Sequence, residues 1–375
     1  MIRSLLCALF AIVAAGLSHG AAANELTDAF QQVLRRPTDT EANLRYARLA
    51  EAAGQTRWAL ATYERILVND PNNLEAQQGQ QRMLRAIQPD TTLFTAEFGG
   101  IWESNPRQSL DDNRRGEAQA YGAIGMLDER NLGGVRWRTL GSALGIYHGR
   151  EHDLNYGYVG LNTGPVIDLM PGLAMIPAIG GGAAAFDNRF FYGEGIASAT
   201  FEGNLEGAYR GVRLRVGYRD YNDFFPTQHG LYADAVGKFT IPYVFGDALI
   251  ILSPWARWSD LKGTAISPLT FIEVQPGTYT ELGQRVEFNK PVADGVVLGV
   301  NVALSLRYYR DDLASDGTSK RRDTLIAPGA MLLMPSLFGF QTGLRVDYQY
   351  QWNSSNFDPR RYLDHIVTAA VVSRF

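Results

Sequence analysis

Residues 340–352, FQTGLRVDYQYQW, alternate between two kinds of side chain. Apolar or aromatic side chains and one threonine occupy the even positions, whereas glutamine, glycine, arginine and aspartate occupy the odd positions. Successive side chains of a β-strand point to opposite faces, so this rhythm predicts a strand with one apolar and one polar face. Residues 298–310 and 212–219 show the same alternation. Strands of about ten residues can cross a bilayer at a tilt.

The same alternation predicts a transmembrane β-barrel over residues 92–375. Fourteen segments carry it: 92–102, 118–127, 134–147, 155–167, 173–185, 193–203, 207–219, 230–243, 248–259, 283–290, 296–309, 323–334, 338–352 and 361–375. Short turns such as Pro335-Ser336-Leu337 alternate with long polar loops, as in outer-membrane barrels, whose short turns are periplasmic. The predicted long loops are 103–117, 148–154, 220–229, 260–282, 310–322 and 353–360. The expected fold class is a short helical segment followed by an antiparallel outer-membrane barrel of about fourteen strands.

Composition and aromatic placement favour a barrel over a soluble β-sandwich or propeller. The 375 residues include 39 Gly, 18 Tyr, 18 Phe and 6 Trp, yet the mean hydropathy is −0.15, as expected where only every second strand residue faces lipid. Six aromatic residues fall at strand ends, in the manner of interfacial girdles: Trp102, Tyr147, Tyr218, Trp258, Tyr308 and Trp352. The terminal Phe375, on an apolar strand face, resembles the signal read by the outer-membrane insertion machinery.

The amino terminus predicts export. Residues 1–23 have a basic start at Arg3, an apolar core and a small-residue end at Ala21-Ala22-Ala23, which is the order of a cleaved signal peptide. The only cysteine, Cys7, lies in that core, so the mature chain is expected to have neither disulfides nor a cysteine metal site. No later segment has a run of apolar residues long enough for a membrane-spanning helix. We therefore expect the barrel in the outer membrane and the preceding segment in the periplasm.

Residues 24–88 show a helical pattern with one internal repeat. Pro37 and Pro71 stand 34 residues apart, and each is followed by a Glu-Ala pair. Thirty-four residues is the period of the tetratricopeptide (TPR) repeat, so we predict a short TPR-like segment. On its first repeat helix, four residues would face a binding groove or only a solvated surface: Glu41, Leu44, Arg48 and Glu51.

Residues that could carry chemistry do not form a catalytic constellation. His148 and His152 share an i, i+4 spacing but fall in a predicted loop, where nothing fixes the geometry that zinc needs. No serine lies in a nucleophile elbow, and the formal net charge of −4 argues against a nucleic-acid partner. We therefore predict that the protein is not an enzyme and uses no cofactor or metal.

The polar face of the predicted strands carries charged residues that would point into the lumen. These candidates are Arg136, Arg138, Arg213, Arg215, Arg219, Arg307, Arg345, Asp347, Asp234 and Glu97, with Glu194 and Lys238 on the same face. Charges enclosed by a barrel must be paired or hydrated. Two interpretations stay open: an ion-pair network that partly plugs the lumen, and a basic constriction that attracts anionic cargo.

The order of signal peptide, helical repeat and barrel resembles the surface lipoprotein assembly modulator (Slam) family. In that family the first barrel strand runs into a turn of an aromatic residue, an acidic residue, serine and asparagine, which Trp102, Glu103, Ser104 and Asn105 match. The resemblance implies an outer-membrane device that helps lipoproteins or related secreted proteins reach the cell surface.

The leading hypothesis is accordingly a translocation assistant without ATP. Its partners would be outer-membrane lipid, a client lipoprotein or secreted protein, and the insertion machinery during biogenesis. The alternatives are a polysaccharide-export porin, whose lumen should be wet and lined with aromatic and acidic residues, and a diffusion porin.

Overall fold

A computed structural model describes residues 25–87, 89–108, 115–170, 172–205, 208–222, 229–267, 269–339 and 341–375. The predicted signal peptide, residues 1–23, lies outside the described residues. The chain divides into two compact units. The first contains the residues up to Asp90 together with Arg130–Arg136 and Asp168–Pro171, and the second contains the remainder.

Four helices dominate the first unit: α1 (25–35), α2 (Thr40–Ala52), α3 (Thr56–Asn69) and α4 (Leu74–Ile87). Helix α2 begins after Asp39, whose carboxylate accepts hydrogen bonds from the backbone N–H groups of Glu41 and Ala42 at 3.1 Å, as an N-cap does. Gly54 turns the chain between α2 and α3 with φ +72°, a conformation that favours glycine. Among the helices of the described residues, none is both long and apolar enough to cross a membrane.

Small residues and one tyrosine form the helical core. Ala47, Ala59 and Tyr63 are fully buried. The Tyr63 ring lies against Gly79 of α4, where an added Cβ would stand 2.3 Å from the ring. Burial, and a hydrogen bond donated at 2.9 Å to the Glu51 carboxylate, raise the pKa of the Tyr63 hydroxyl. The close approach of α3 and α4 therefore depends on glycine at position 79.

Sixteen strands make up the described β-structure. They are β1 (Thr91–Glu103), β2 (Glu117–Leu132), β3 (Val135–His148), β4 (Tyr156–Pro165), β5 (Ile167–Met170), β6 (Leu173–Phe186), β7 (Arg189–Leu205), β8 (Ala208–Tyr221), β9 (His229–Val244), β10 (Ala248–Lys262), β11 (Ala265–Ile266), β12 (Glu273–Ala293), β13 (Val296–Leu313), β14 (Lys320–Met334), β15 (Thr342–Ser355) and β16 (Tyr362–Arg374). The short strands β5 and β11 pair only at the margin. The other fourteen form one antiparallel ring.

The ring closes at two places. Strand β1 pairs with β16 from Thr95↔Arg374 to Glu103↔Ile366, and β10 pairs with β12. Beyond the first register, Phe94 and Phe375 exchange backbone hydrogen bonds of 2.7 and 3.0 Å. A closed ring leaves no strand edge with unpaired N–H and C=O groups, which is what a lipid surround requires. The predicted fourteen-strand barrel is confirmed.

The outer face of the ring is apolar. Exposed side chains such as Val159, Ile179 and Val300 project from it, at alternate positions to the charged inner residues. The six predicted girdle aromatics are exposed on this face near the long-loop ends of their strands, and Tyr243, Phe245 and Phe338 are exposed at the short-turn end. An apolar band between two aromatic girdles is typical of the lipid-facing surface of outer-membrane barrels. The protein is therefore an outer-membrane β-barrel.

Several predicted strand boundaries are wrong, and two of them have a clear local cause. Residues 273–282 of the predicted loop 260–282 belong to β12, where a register irregularity between Gln275 and Tyr279 accommodates Pro276 and Gly277. Conversely, the strand predicted over 338–352 begins only at Thr342. Gly339 and Gln341 have φ of +75° and +58°, and such left-handed residues form a turn rather than a strand.

One tyrosine lies flat along the inner wall over two glycines. The Tyr158 hydroxyl would be 2.5 Å from a Cβ added at either Gly160 or Gly182, and it donates a 3.0 Å hydrogen bond to Glu194. The space left by the two glycines therefore holds this ring against the wall.

Replacing Gly182 by valine is expected to displace Tyr158, break its bond to Glu194 and destabilise the barrel by roughly 1–3 kcal/mol, a usual cost of overpacking. The measurement is the temperature at which the compact band disappears from an unboiled SDS gel. Gly195→Val is the control, because nothing lies within 4 Å of a Cβ at Gly195. Equal transition temperatures for both variants would contradict this account.

Candidate functional site

The charged inner wall of the barrel is the candidate site. Strand register places nine of the ten predicted lumen residues on the inner face of the second unit. The tenth, Arg136, belongs to the first unit, where its guanidinium donates to the Pro89 carbonyl at 3.0 Å and lies 3.6 Å from the Asp90 carboxylate. The inner wall thus carries many charges, and their pairing determines what a solute would meet.

Glu194 is the centre of the first cluster. Its carboxylate accepts hydrogen bonds from Arg219 Nε at 2.9 Å, the Tyr232 hydroxyl at 2.7 Å and the Tyr158 hydroxyl at 3.0 Å. The Arg219 guanidinium also lies between two aromatic rings, 4.7 Å from Tyr192 and 4.6 Å from Tyr232, within the range of cation–π attraction. Four strands, β4, β7, β8 and β9, are joined through this one carboxylate.

Asp234 of β9 and Glu281 of β12 are bound by arginine in a similar way. Arg215 binds Asp234 at 2.8 and 2.5 Å. Arg307 binds Glu281 at 2.8 and 2.5 Å, and the same carboxylate accepts from Trp255 Nε1 at 2.8 Å. Each arginine therefore has a carboxylate partner on an adjacent strand of the barrel wall.

A third cluster lies toward the long-loop end. Arg321 binds Asp312 at 3.1 Å and Asp323 at 2.5 Å, and its guanidinium stands 4.2 Å from the centre of the Tyr309 ring. Ser355 donates to Asp323 at 2.6 Å. This cluster links the ends of β13, β14 and β15.

One ion pair crosses the wall over several strands. Arg138 of β3 binds Glu129 of β2 at 2.5 Å and Glu202 of β7 at 2.7 Å. Strands β4 and β6 lie between β3 and β7 in the ring. On β6, Ala174 and Ile176 are buried. We call Glu129, Arg138 and Glu202 the Arg138 brace; its side chains extend along the inner wall near the short-turn end.

In the clusters of Glu194, Asp234 and Glu281 the carboxylates are buried and the arginines face water, whereas Arg321 is buried with its carboxylates. The side chains of Asp234, Glu194 and Glu281 are 1%, 2% and 7% exposed, whereas those of their partners Arg215, Arg219 and Arg307 are 22%, 26% and 35% exposed. A solute in the lumen therefore meets guanidinium groups rather than carboxylates along β8 and β13.

Charge is also unequal around the ring. The inward charged positions of β8, β9 and β10 hold five cations and one carboxylate: Arg213, Arg215, Arg219, Lys238, Arg257 and Asp234. Those of β16, β1 and β2 hold five carboxylates, with one arginine at the strand terminus: Glu97, Glu103, Glu117, Glu129, Asp364 and Arg374. In the ring, β9 lies seven strands from β1 in either direction. A basic wall thus stands opposite an acidic wall.

Arg345 partly neutralises the acidic wall. It contacts Glu97 at 2.9 Å and Asp347 at 2.6 Å, and Tyr121 donates to Glu97 at 2.8 Å. Glu97, Arg345 and Asp347 are all between 23% and 33% exposed at the side chain, so water reaches this side of the lumen as well.

The four residues of the quoted first-strand turn lie at the seam between β1 and β16. Ser104 donates through Oγ to Asp364 at 2.8 Å, and the Asn105 backbone N–H donates to the same carboxylate at 2.9 Å. Asn105 and Asp364 are almost completely buried. The turn therefore fastens the first strand to the last at the long-loop end.

The four predicted groove residues of α2 lie in different surroundings. Arg48 binds Glu75 of α4 at 2.5 and 2.8 Å, and Glu51 binds Arg82 at 2.8 and 2.9 Å. Although burial raises the pKa of Glu51, hydrogen bonds from Arg82 and Tyr63 lower it overall. Leu44 packs against the helical core and Glu41 is exposed. Arg48 and Glu51 are thus used in ion pairs between α2 and α4.

The predicted loop histidines do not form a metal site. His148 is buried and its Nδ1 contacts the Glu117 carboxylate, while Arg107 binds Asp153 at 2.8 Å. Across the described ranges, no group of three His, Cys, Asp or Glu residues is arranged to hold a metal ion.

Sequence reasoning missed several residues of the inner wall. Tyr192, Tyr232 and Glu202 share the strand parity of predicted inward charges, so counting every second residue would have found them. Glu281 was missed because it fell within the predicted loop 260–282. Arg321 was missed for the corresponding reason in the predicted loop 310–322.

No family model matches this sequence, and no curated protein does either. Three solved structures illustrate the similarity found. The outer membrane channel DcaP of Acinetobacter baumannii is 9% identical, with 76% of this chain and 97% of that chain covered and a TM-score of 0.48. A bacterial polysaccharide outer membrane secretin is 9% identical, with coverages of 76% and 98% and a TM-score of 0.40. The outer membrane protein opdK from Pseudomonas aeruginosa is 9% identical, with coverages of 76% and 99% and a TM-score of 0.36. These similarities are too distant to indicate the function of this protein.

Glu194→Gln is expected to destabilise the barrel by on the order of 2 kcal/mol. The change removes the charge that Arg219 and two tyrosine hydroxyls bind, and broken buried pairs are costly. Denaturant unfolding in detergent micelles, followed by tryptophan fluorescence, measures the loss. Glu287→Gln is the control: Glu287 also pairs on the inner wall, with Arg285 at 3.1 Å, but its side chain is 28% exposed. An effect no larger than the control's would contradict the central role of Glu194.

Proposed function

We propose that the barrel is an outer-membrane channel for small polar solutes. The observation that carries this proposal is the solvent exposure of the lumen arginines above their buried carboxylates. Side chains that are one fifth to one third exposed inside a closed barrel border space large enough for water. A hydrated, hydrogen-bonding inner wall lowers the cost of moving polar groups out of bulk water.

The charge distribution favours solutes that carry both a negative and a positive or dipolar part. A basic wall on β8–β10 and an acidic wall on β16, β1 and β2 would generate an electric field across the lumen. Such rings and walls of charge determine selectivity in pores. We expect the Arg138 brace to narrow the lumen and to sort solutes by size.

Purified protein in planar lipid bilayers is expected to show stepwise ion conductance. Arg138→Gln should increase the single-channel conductance, because it removes the side chain that extends over β4 and β6. Arg285→Gln is the control, since Arg285 lies on β12, on the opposite part of the ring from β3, and pairs with Glu287 of the same strand. A protein that folds but gives no conductance steps would refute the channel.

Translocation of lipoproteins or other secreted proteins is a second candidate, and the seam contacts are the observation that favours it. A lipid-anchored client can leave a closed barrel sideways only if two neighbouring strands separate. The turn that resembles the Slam family lies where β1 meets β16, and its Ser104 and Asn105 hold Asp364. A turn at that place could control such an opening.

Cross-linking the seam tests this candidate. Ile101 and Thr368 are register partners across it, so Ile101→Cys with Thr368→Cys should permit an oxidised link. For a sideways exit, oxidation should abolish protease-accessible surface lipoproteins while conductance persists. The matched pair Ser305→Cys with Leu325→Cys joins β13 to β14 and should have no effect. Unchanged surface display after gene deletion would eliminate this candidate.

A further inference from the structure

A cavity opens on the inner wall beside the Arg138 brace. Its volume is about 300 Å³, and its inward lining comes from β3, β4, β6, β7, β8 and β9. This size is at the lower end of small-molecule sites and suits one small organic molecule rather than a chain. All of its lining belongs to the barrel unit.

Four cations line the cavity, and two of them have no counter-charge. Arg138 and Arg215 are bound by the carboxylates already described, whereas Arg213 and Lys238 make no ion pair with any residue in the described part of the chain. Both are exposed to solvent. In the β8–β9 register Gly211 faces Lys238 and Arg213 faces Val236, so Arg213 and Lys238 are diagonal neighbours on the inner wall, with a residue spacing of roughly 7–8 Å.

Two unpaired like charges on neighbouring strands repel each other, and a bound anion would relieve the repulsion. Glu202 is the only carboxylate in the lining, and Arg138 already binds it. The anion must therefore come from the solute.

The rest of the lining suits a body that carries hydroxyl groups. Ser198 and Thr200 offer hydroxyls, while Leu140 and Ile176 offer apolar surface. Asn162 also lines the cavity, and its buried amide oxygen has no hydrogen-bond donor among the described residues. A fully ionised carboxylate or phosphate has no hydrogen to give this oxygen, but a sugar hydroxyl does.

We propose that this cavity binds one acidic sugar unit, with its carboxylate or phosphate between Arg213 and Lys238 and its hydroxyls toward Asn162, Ser198 and Thr200. The ring's C–H face would rest on Leu140 and Ile176. This inference deepens the proposed channel function by naming its solute class, and it rests on that function for its physiological meaning. Binding itself can be measured without any conductance.

Saturation-transfer NMR on the full-length protein in detergent tests the proposal with glucose 6-phosphate, glucose and inorganic phosphate as probes. Glucose 6-phosphate should bind saturably and more tightly than either other probe. Arg213→Gln with Lys238→Gln should weaken it by at least about tenfold, the effect of losing charged hydrogen bonds. Added KCl should weaken it as well, since exposed charges are screened.

Two further variants separate charge from hydroxyl recognition. Arg285→Gln removes a lumen arginine that does not line the cavity and should leave glucose 6-phosphate binding unchanged. Asn162→Ala should weaken glucose 6-phosphate binding more than phosphate binding. An unboiled SDS gel of each variant verifies that the barrel is folded.

Absence of saturable glucose 6-phosphate binding, or undiminished binding in the double variant, overturns the site. Phosphate binding as tight as that of glucose 6-phosphate overturns the sugar assignment. Conductance without glucose 6-phosphate binding rejects this inference but leaves the channel proposal intact. Glucose 6-phosphate binding without conductance rejects the channel proposal but leaves the binding site intact.

Discussion

Closure of the sheet into a ring provides hydrogen-bonding partners for the edges of all its strands. A bilayer offers no hydrogen-bonding partner to a strand edge, so each edge must find another edge. The seam meets this demand with nine registered residue pairs from Thr95↔Arg374 to Glu103↔Ile366. Phe94 and Phe375 extend it at one end and the Ser104-Asn105 turn extends it at the other. Because the ring is closed, its inner face becomes an enclosed polar space.

Enclosing charges is costly unless each has a partner or water. In this barrel several carboxylates are buried among donors, whereas their arginine partners are partly hydrated. Carboxylates such as Glu194 and Glu281 lie against the wall, where several donors replace their hydration. Arginine has five donors and a planar guanidinium group that can lie on an aromatic ring. Arg215 and Arg219 lie between the buried carboxylates and the lumen, and part of each guanidinium group stays in contact with water. The buried carboxylates join several strands of the wall, and the arginines above them leave the inner surface hydrated.

Strand parity could be read from the sequence because the period of two survives in nearly every strand. It placed Arg213, Arg215 and Arg219 on one face of β8 without any knowledge of their partners. Partners could not be read in the same way, since Arg138 reaches Glu202 from a strand that is not its neighbour in the ring. The error at β12 has a local cause: Pro276 and Gly277 are typical of turns, yet a register irregularity absorbs them within a strand. Sequence patterns thus predict which face a side chain occupies, whereas long-range pairing depends on three-dimensional closure.

Small inward residues on β4 and β6 link the Arg138 brace with the cavity beside it. Inward positions of these strands include Gly164, Ala178 and Gly180, which leave the wall thin. Over that thin wall Arg138 can extend far enough to meet Glu202, and beside it the unfilled volume becomes the cavity. A larger residue at Ala178, which lines the cavity, would fill part of its volume. The brace and the proposed binding site would thus share one structural origin, and a solute held by Arg213 and Lys238 would lie next to Arg138.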